Sequence, residues 1–376
     1  MGRPRHLRRA GLVLLQPPGV QAGRAGLRPP GQRDHADLNP AGSSRVLGAG
    51  LGWRIPVARK RPKGVLEIGW ACFESAATGR IEHVPTAVCY PETLVRRTSV
   101  QAGGGHAWRI SALTTPRKRA APWKIVVVTG APSWAEYWAP VLAALPANRE
   151  MLVVDRPGFA GSEPVEYVGD IRVQAAALAP LLETAPGQRL MLVGQSYGAA
   201  IAALMAAAAP RRVRSLVLLS GYFGESGPTA KRLVDWGSKL LAFIPRDLKN
   251  AVREVAGQPS QIEHLHRALE QATMPVHLIH GTRDDFAPLA AAERLFARIA
   301  HRSDARFQTV EGADHFLNDG PPDDLLALLE ACLPARGSEL SIWLREARDQ
   351  VNRRLAALRR RIAPHSARDA AHAPVT

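Results

Sequence analysis

Cysteine is scarce in this chain: Cys72, Cys89 and Cys332 are the three it has. They are odd in number, far apart and without metal-ligand spacing, which excludes a disulfide framework and a thiolate metal site and fits a reducing compartment. Long apolar runs are missing as well. None reaches the roughly 18 residues that a membrane-spanning helix needs. The apolar piece Leu12–Leu15 behind the basic start is far short of a signal peptide's roughly 7–15 residues. The protein therefore reads as cytoplasmic. Acidic residues are thin at both ends but not in the middle. The net charge is +14 over residues 1–123, −3 over 124–333 and +5 over 334–376. A strongly basic protein suggests nucleic acid or an anionic membrane. Here only the ends could carry such a role, and no nucleic-acid motif is present, so a nucleic-acid partner is not expected.

Residues 1–64 are rich in Arg, Pro and Gly and keep no period of 2 or 3.6. Such a segment buries too little apolar surface to offset its ordering entropy. Together with the ambiguous stretch that follows, residues 1–94 are expected to form a largely disordered basic extension. From Val95 the pattern changes. Short apolar runs are predicted as strands at Val95–Gln101, His106–Thr114, Lys124–Val128, Glu150–Val154, Leu190–Val193, Val213–Ser220, Val276–Ile279 and Arg306–Val310. Helical stretches separate most of them. Alternation after an antiparallel start predicts an α/β fold over 95–333: a mostly parallel eight-stranded sheet with helices on both faces. Residues 222–274 break the alternation with three predicted helices and are expected to sit over the strands' carboxyl ends as a cap.

The most informative stretch is Gly194-Gln195-Ser196-Tyr197-Gly198, between an apolar strand and the alanine-rich run Ala199–Ala209. A serine at a tight strand-to-helix turn is held in strained geometry with its hydroxyl above the sheet edge. Side chains at Gly194 or Gly198 would collide with the neighbouring strand or helix. A serine hydroxyl needs a base, and the base needs an orienting group. Two later strand ends offer them. His280-Gly281-Thr282-Arg283-Asp284-Asp285 supplies Asp284 as the acid, with Asp285 and Glu225 as alternatives. Both aspartates can instead be read as caps for the next helix. Glu311-Gly312-Ala313-Asp314-His315-Phe316 supplies His315 as the base. The order Ser196, Asp284, His315 sets this histidine apart from an ordinary solvated one. Two backbone N–H groups are needed for a developing oxyanion. Tyr197, at a helix N-terminus, and Ala131, in the loop after Lys124–Val128, are the candidates.

These residues resemble the α/β-hydrolase family over roughly Val95 to Cys332. The serine turn looks like its nucleophile elbow. Thr129-Gly130-Ala131-Pro132, followed by Trp134 and Trp138, is similar to its His-Gly-x-Pro oxyanion loop, with Thr129 in place of the histidine. Asp155-Arg156-Pro157-Gly158-Phe159-Ala160-Gly161-Ser162 is similar to its Asp-x-x-Gly-x-Gly-x-Ser turn. The resemblance implies attack of Ser196 on an acyl carbon, a covalent acyl-enzyme, and release by water activated at His315. It implies no metal and no cofactor. An ester-type small-molecule substrate is the leading expectation. Thioester or carbon–carbon bond hydrolysis, or a non-catalytic binding protein of this fold, are the alternatives.

Within the cap, Leu233, Trp236, Leu240, Leu241 and Ile244 recur at helical spacing. They can line a pocket or simply pack the cap. With Trp134 and Phe159 they suggest an apolar acyl or aromatic substrate, Trp134, Phe159 and Trp236 being the binding candidates. The tail, 334–376, holds an amphipathic helical stretch at Glu339–Ala363 with a basic face. It suits either a peripheral membrane or protein contact, or docking on its own domain.

Overall fold

The computed structural model describes residues 87–334. The basic extension up to residue 86, Cys72 within it, and the amphipathic tail from residue 335 lie outside the described residues. Eight strands form one sheet: β1 (Arg96–Gln101), β2 (Arg109–Thr114), β3 (Trp123–Val128), β4 (Arg149–Val154), β5 (Arg189–Gln195), β6 (Val213–Leu219), β7 (Val276–Gly281) and β8 (Ala305–Val310). Their spatial order is β1-β2-β4-β3-β5-β6-β7-β8. The pairings β1–β2 and β2–β4 are antiparallel and the rest parallel. The mostly apolar character of the central strands follows from that position. A parallel strand covered on both faces has no solvent side, and β3 is buried along its whole length.

The helices are α1 (Ala139–Ala144), α2 (Ile171–Leu178), α3 (Gly198–Ala208), α4 (Pro228–Lys239), α5 (Arg246–Gly257), α6 (Ile262–Gln271), α7 (Leu289–Ile299) and α8 (Pro322–Ala331). One face of the sheet is covered by α2, α3, α6 and α7, the other by α1 and α8. Proline shortens two of the helical stretches between strands. Over Trp134–Leu145 a 3₁₀ turn, Ala135–Trp138, precedes α1, with Pro140 in the first turn of α1. Over Ile171–Thr184 the helix stops at Leu178, where Pro180 starts a second 3₁₀ turn.

The segment 222–274 divides. Helices α4 and α5 contribute to the wall of the cavity over Ser196. Helix α6 instead returns to the sheet and packs against α3. It buries Leu265, Ala268 and Leu269 in the core that holds the alanines of α3. Alanine side chains let those two helices approach closely, which a bulkier α3 would prevent.

Register positions the chemistry. Central strand β3 has β4 on one side and β5 on the other, so its carboxyl end lies at the point where chain order reverses. Val128 pairs with Gly194, which sets the loop after β3 beside Ser196. At the turn itself a Cβ on Gly194 would stand 2.6 Å from Ala199 Cα and 2.7 Å from Gly198 O. One on Gly198 would run into Val128 O and Thr129 O. Gly194→Ala is expected to cost about 3 kcal/mol or more, because backbone atoms cannot yield. Gly105→Ala, at φ +77 with nothing within 4 Å, should cost only about 1 kcal/mol of backbone strain. Urea denaturation of both variants checks the contrast.

Candidate active site

Ser196 sits between β5 and α3 at φ 51, in the left-handed region that a side chain rarely occupies. Its backbone is held there from both sides. The Ser196 N–H donates to Leu219 O at 3.0 Å, and Ser196 O accepts from Ala199 and Tyr222. The Oγ lies 2.9 Å from His315 Nε2. On the other side of the ring, His315 Nδ1 lies 2.8 Å from Asp284 Oδ2. Asp284, on the loop leaving β7, has a fully buried carboxylate. Its Oδ1 accepts from the backbone N–H groups of Phe286 and Ala287 at 3.0 and 2.8 Å, and its Oδ2 lies 3.2 Å from His280 Nε2. The two loops meet because Gly281 has no side chain: a Cβ there would strike Ala313 O and Asp314 O.

The electrostatics favour an Nδ1–H tautomer aimed at the acid. Burial alone would raise the Asp284 carboxyl, but the charge of His315 and hydrogen bonds from His280 and His315 outweigh it and hold the group well below the usual carboxylate range. Burial likewise works against a charged His315, yet the Asp284 carboxylate and its hydrogen bond prevail and raise the imidazole above its ordinary value. His315 Nε2 is thus an acceptor for the serine proton, on a ring whose cationic form is stabilised.

The other candidate acids are engaged elsewhere. Asp285 accepts from Thr229 Oγ1 at 2.6 Å and so ties the start of α4 to this loop rather than capping α7. Glu225 pairs with Arg294 at 2.6 Å, both half-exposed. Asp314 accepts from the Phe316 N–H within its own loop.

Beside Ser196, a Cβ on Gly130 would stand 2.8 Å from Ser196 Cβ. The loop bearing Ala131 therefore runs directly against the nucleophile candidate. Tyr197 precedes the first residue of α3, so its N–H belongs to a helix N-terminus. These are the two candidate oxyanion donors. Thr129 anchors the loop: its hydroxyl donates to Val154 O at 2.9 Å and is hydrogen-bonded to Ser133 Oγ. Gln195, next to the serine, is clamped between Trp138 Nε1 at 2.9 Å and Asn318 Oδ1 at 2.6 Å.

A feature that sequence reasoning did not assign is Arg156. Its side chain is fully buried, and all five of its donors are used. Nε donates to Thr129 O and Nη2 to Gly130 O, at 2.8 and 2.7 Å. Nη1 and Nη2 form a fork to Glu254, at 2.6 and 2.7 Å, and Nη1 also reaches Gln174 at 2.7 Å. Burial pushes the Glu254 carboxyl up, against the pull of Arg156 and the hydrogen bond from Gln174. Glu254 comes from α5, together with Asp247 and Asn250 on the same face. Asp247 accepts from Trp134 Nε1 at 2.7 Å and from the Ala160 N–H at 2.9 Å. Asn250 donates to Gly158 O at 2.7 Å. In the sequence this stripe looks like the solvated side of an amphipathic helix, and nothing local distinguishes the two.

A cavity of about 300 Å³ opens over Ser196 and His315. Trp134 and Trp236 line it, as do Leu233, Leu240 and Ile244 of the cap, whereas Leu241 does not. Phe159 corrects the expectation that it would bind substrate. It is absent from the cavity wall and buried, with its ring 4.9 Å from the Arg156 guanidinium, on which Tyr197 also lies at 4.9 Å. The glycine turn at φ +92 in Gly158 aims it inward. The cavity wall instead holds Phe286, stacked on the His315 ring at 5.1 Å.

Comparison with known proteins agrees with this fold. A family model described as the alpha/beta hydrolase fold matches residues 125–257. A 2-hydroxy-6-oxononadienedioate/2-hydroxy-6-oxononatrienedioate hydrolase of Pseudomonas putida is 27% identical over 213 residues, covering 46% of this chain and 74% of its own length. One of the same name from Cupriavidus pinatubonensis is 27% identical over 210 residues, covering 45% and 72%. Among solved structures, a serine hydrolase from the polyaromatic-hydrocarbon-degrading bacterium Cycloclasticus zankles is similar in fold, with a TM-score of 0.52 at 15% identity, covering 62% of this chain and 96% of its own. The chain has the α/β-hydrolase fold. It is a hydrolase of that fold.

Two outcomes follow from the site's electrostatics. In Asp284→Asn the burial of His315 loses its main opponent, so the acid limb of the kcat/KM profile should move to lower pH while the rate falls about three to four orders of magnitude. A pH series on wild type and variant reads both. Glu254→Gln leaves Arg156 buried without its counter-charge and should destabilise the fold by about 3 kcal/mol or more, measured by urea denaturation.

Proposed function

We propose that this chain hydrolyses an uncharged-ended, lipophilic substrate, with Ser196 as nucleophile, His315 as base and Asp284 as its orienting acid. The observation that carries the reading is the wall of the cavity above the serine. Among the described residues that line it, none is Lys, Arg, Asp or Glu. A carboxylate of the substrate would have to lose its hydration there with no cation to offset the cost.

The relatives bear on which bond is cut. The names of the 27%-identical hydrolases describe a hydroxylated keto-dicarboxylic acid. Such a compound holds no ester, thioester or amide, so water can divide it only at a carbon–carbon bond. That favours carbon–carbon hydrolysis, the alternative raised from the sequence, over the leading ester reading. Ser196 would add to the ketone carbon as His315 takes its proton. The bond to the neighbouring carbon would then break, and that carbon would leave with its electron pair, stabilised by conjugation, and receive a proton. Water would release the acyl group as a carboxylic acid. The candidate donors Ala131 and Tyr197 would bear the oxyanion. The uncharged wall argues for an apolar group in place of at least one of the relatives' carboxylates. Ester hydrolysis stands second, favoured by the same wall, since a simple acyl ester needs no cation.

The test compares three substrates: a 6-oxo-dienedioate, its analogue ending in phenyl, and p-nitrophenyl hexanoate. The phenyl analogue is expected to be turned over with a kcat/KM about tenfold or more above the dicarboxylate. Ser196→Ala should lower the rate by about three orders of magnitude or more. A preference for the dicarboxylate would sink the lipophilic reading, turnover of the ester alone would move the assignment to the second reading, and an unaffected Ser196→Ala would remove the serine.

A further inference from the structure

Large apolar side chains exposed on the described surface number six: Val88, Leu94, Val165, Trp236, Leu240 and Phe243. Three of them fall within eight residues, at the end of α4 and the turn after it. Scattered exposed apolar residues need no explanation, but a cluster does. Trp236 and Leu240, one helical turn apart, line the cavity and are still half-exposed, at 49% and 50%. Residues with both properties stand at the cavity mouth. Phe243, just beyond and 82% exposed, is not part of the cavity wall. Around this cluster the charge is one-sided. Lys231, Arg232 and Lys239 are exposed on α4 against Asp235, and Arg246 is exposed at the start of α5 beside Asp247. Residues 124–333 as a whole carry −3, so the mouth is a basic spot on a slightly acidic domain.

We propose that this rim docks on an anionic lipid surface, with Phe243, Trp236 and Leu240 entering the acyl boundary and the lysines and arginine of α4 facing the headgroups. Aromatic and leucine side chains beside Lys and Arg are the chemistry of an interfacial helix. A bilayer suits the position better than a protein partner or a second copy of this chain. Either of those would seal the mouth, whereas a bilayer covers the rim and presents lipophilic molecules to it. Docking does not depend on which bond is cleaved.

Sedimentation of the full chain with vesicles tests it. Wild type is expected to bind vesicles of phosphatidylcholine mixed with phosphatidylglycerol far more than phosphatidylcholine alone, and less so at high salt. Phe243→Ser should weaken binding about tenfold. Lys231→Glu with Lys239→Glu should abolish the preference for anionic vesicles. Both variants should keep wild-type turnover of a water-soluble substrate, which separates docking from folding and from the proposed reaction. Equal binding by wild type and Phe243→Ser overturns the proposal. Binding that appears only after residues 335–376 are removed also overturns it, because that segment is then the occupant. A dimer in solution that Phe243→Ser dissolves overturns it in favour of a second copy.

Discussion

A guanidinium without water is the constraint around which this site is built. Arg156 cannot lose its proton, so its burial is tolerable only while every donor is met and a carboxylate stands opposite. Glu254 and Gln174 meet three of the five donors, and the carbonyls of Thr129 and Gly130 meet the other two. Fixing those two carbonyls fixes the peptide planes of the loop beside Ser196. The aromatic faces of Phe159 and Tyr197 complete the enclosure. The residue after the nucleophile candidate, the loop opposite it and a helix of the cap therefore share one charge. None of the three can shift without leaving part of that charge unpaired.

The cap is accordingly not one body. Helix α5 is tied to the turn after β4 by Asp247, Asn250 and Glu254. Helix α4 has only two buried residues, Thr229 and Ala230, at its start, and its far end reaches solvent. Thr229 is held to Asp285, next to the acid of the triad arrangement. Local stability should fall along α4 from that anchor towards residues 240–243, the order in which buried contacts run out.

Much of the scaffold was legible in the sequence for a plain reason. The central strands are short and mostly apolar, and the carboxyl ends that bear Ser196 and Asp284 also carry glycines, Gly194 and Gly281, that close approach demands. The serine, the acid and the base come together as their chain order suggested. Boundaries were lost where proline converts an α-helix to a 3₁₀ turn, as at Pro140 and Pro180. Phe159 was misread because a glycine-rich turn does not reveal which way it aims its one large side chain. The Arg156–Glu254 pair was invisible because its members lie 98 positions apart. The stripe Asp247, Asn250, Glu254 obeys the same periodicity as a solvated face. Likewise the assignment of α6 to the cap failed on tertiary grounds: only the presence of alanine-rich α3 beneath it decides that it belongs to the sheet.

Helix α5 carries two stripes at once. Positions 247, 250 and 254 hold the loops after β3 and β4, while Leu248, Ala251, Val252 and Val255 belong to the cavity wall. The stripes differ by one step around the helix, about 100°. A lineage drifting towards new substrates can therefore resize the second stripe while the first stays intact. Shape selection and chemical competence are inherited on one helix yet open to change separately, which makes α5 the part of this protein through which its descendants could diversify.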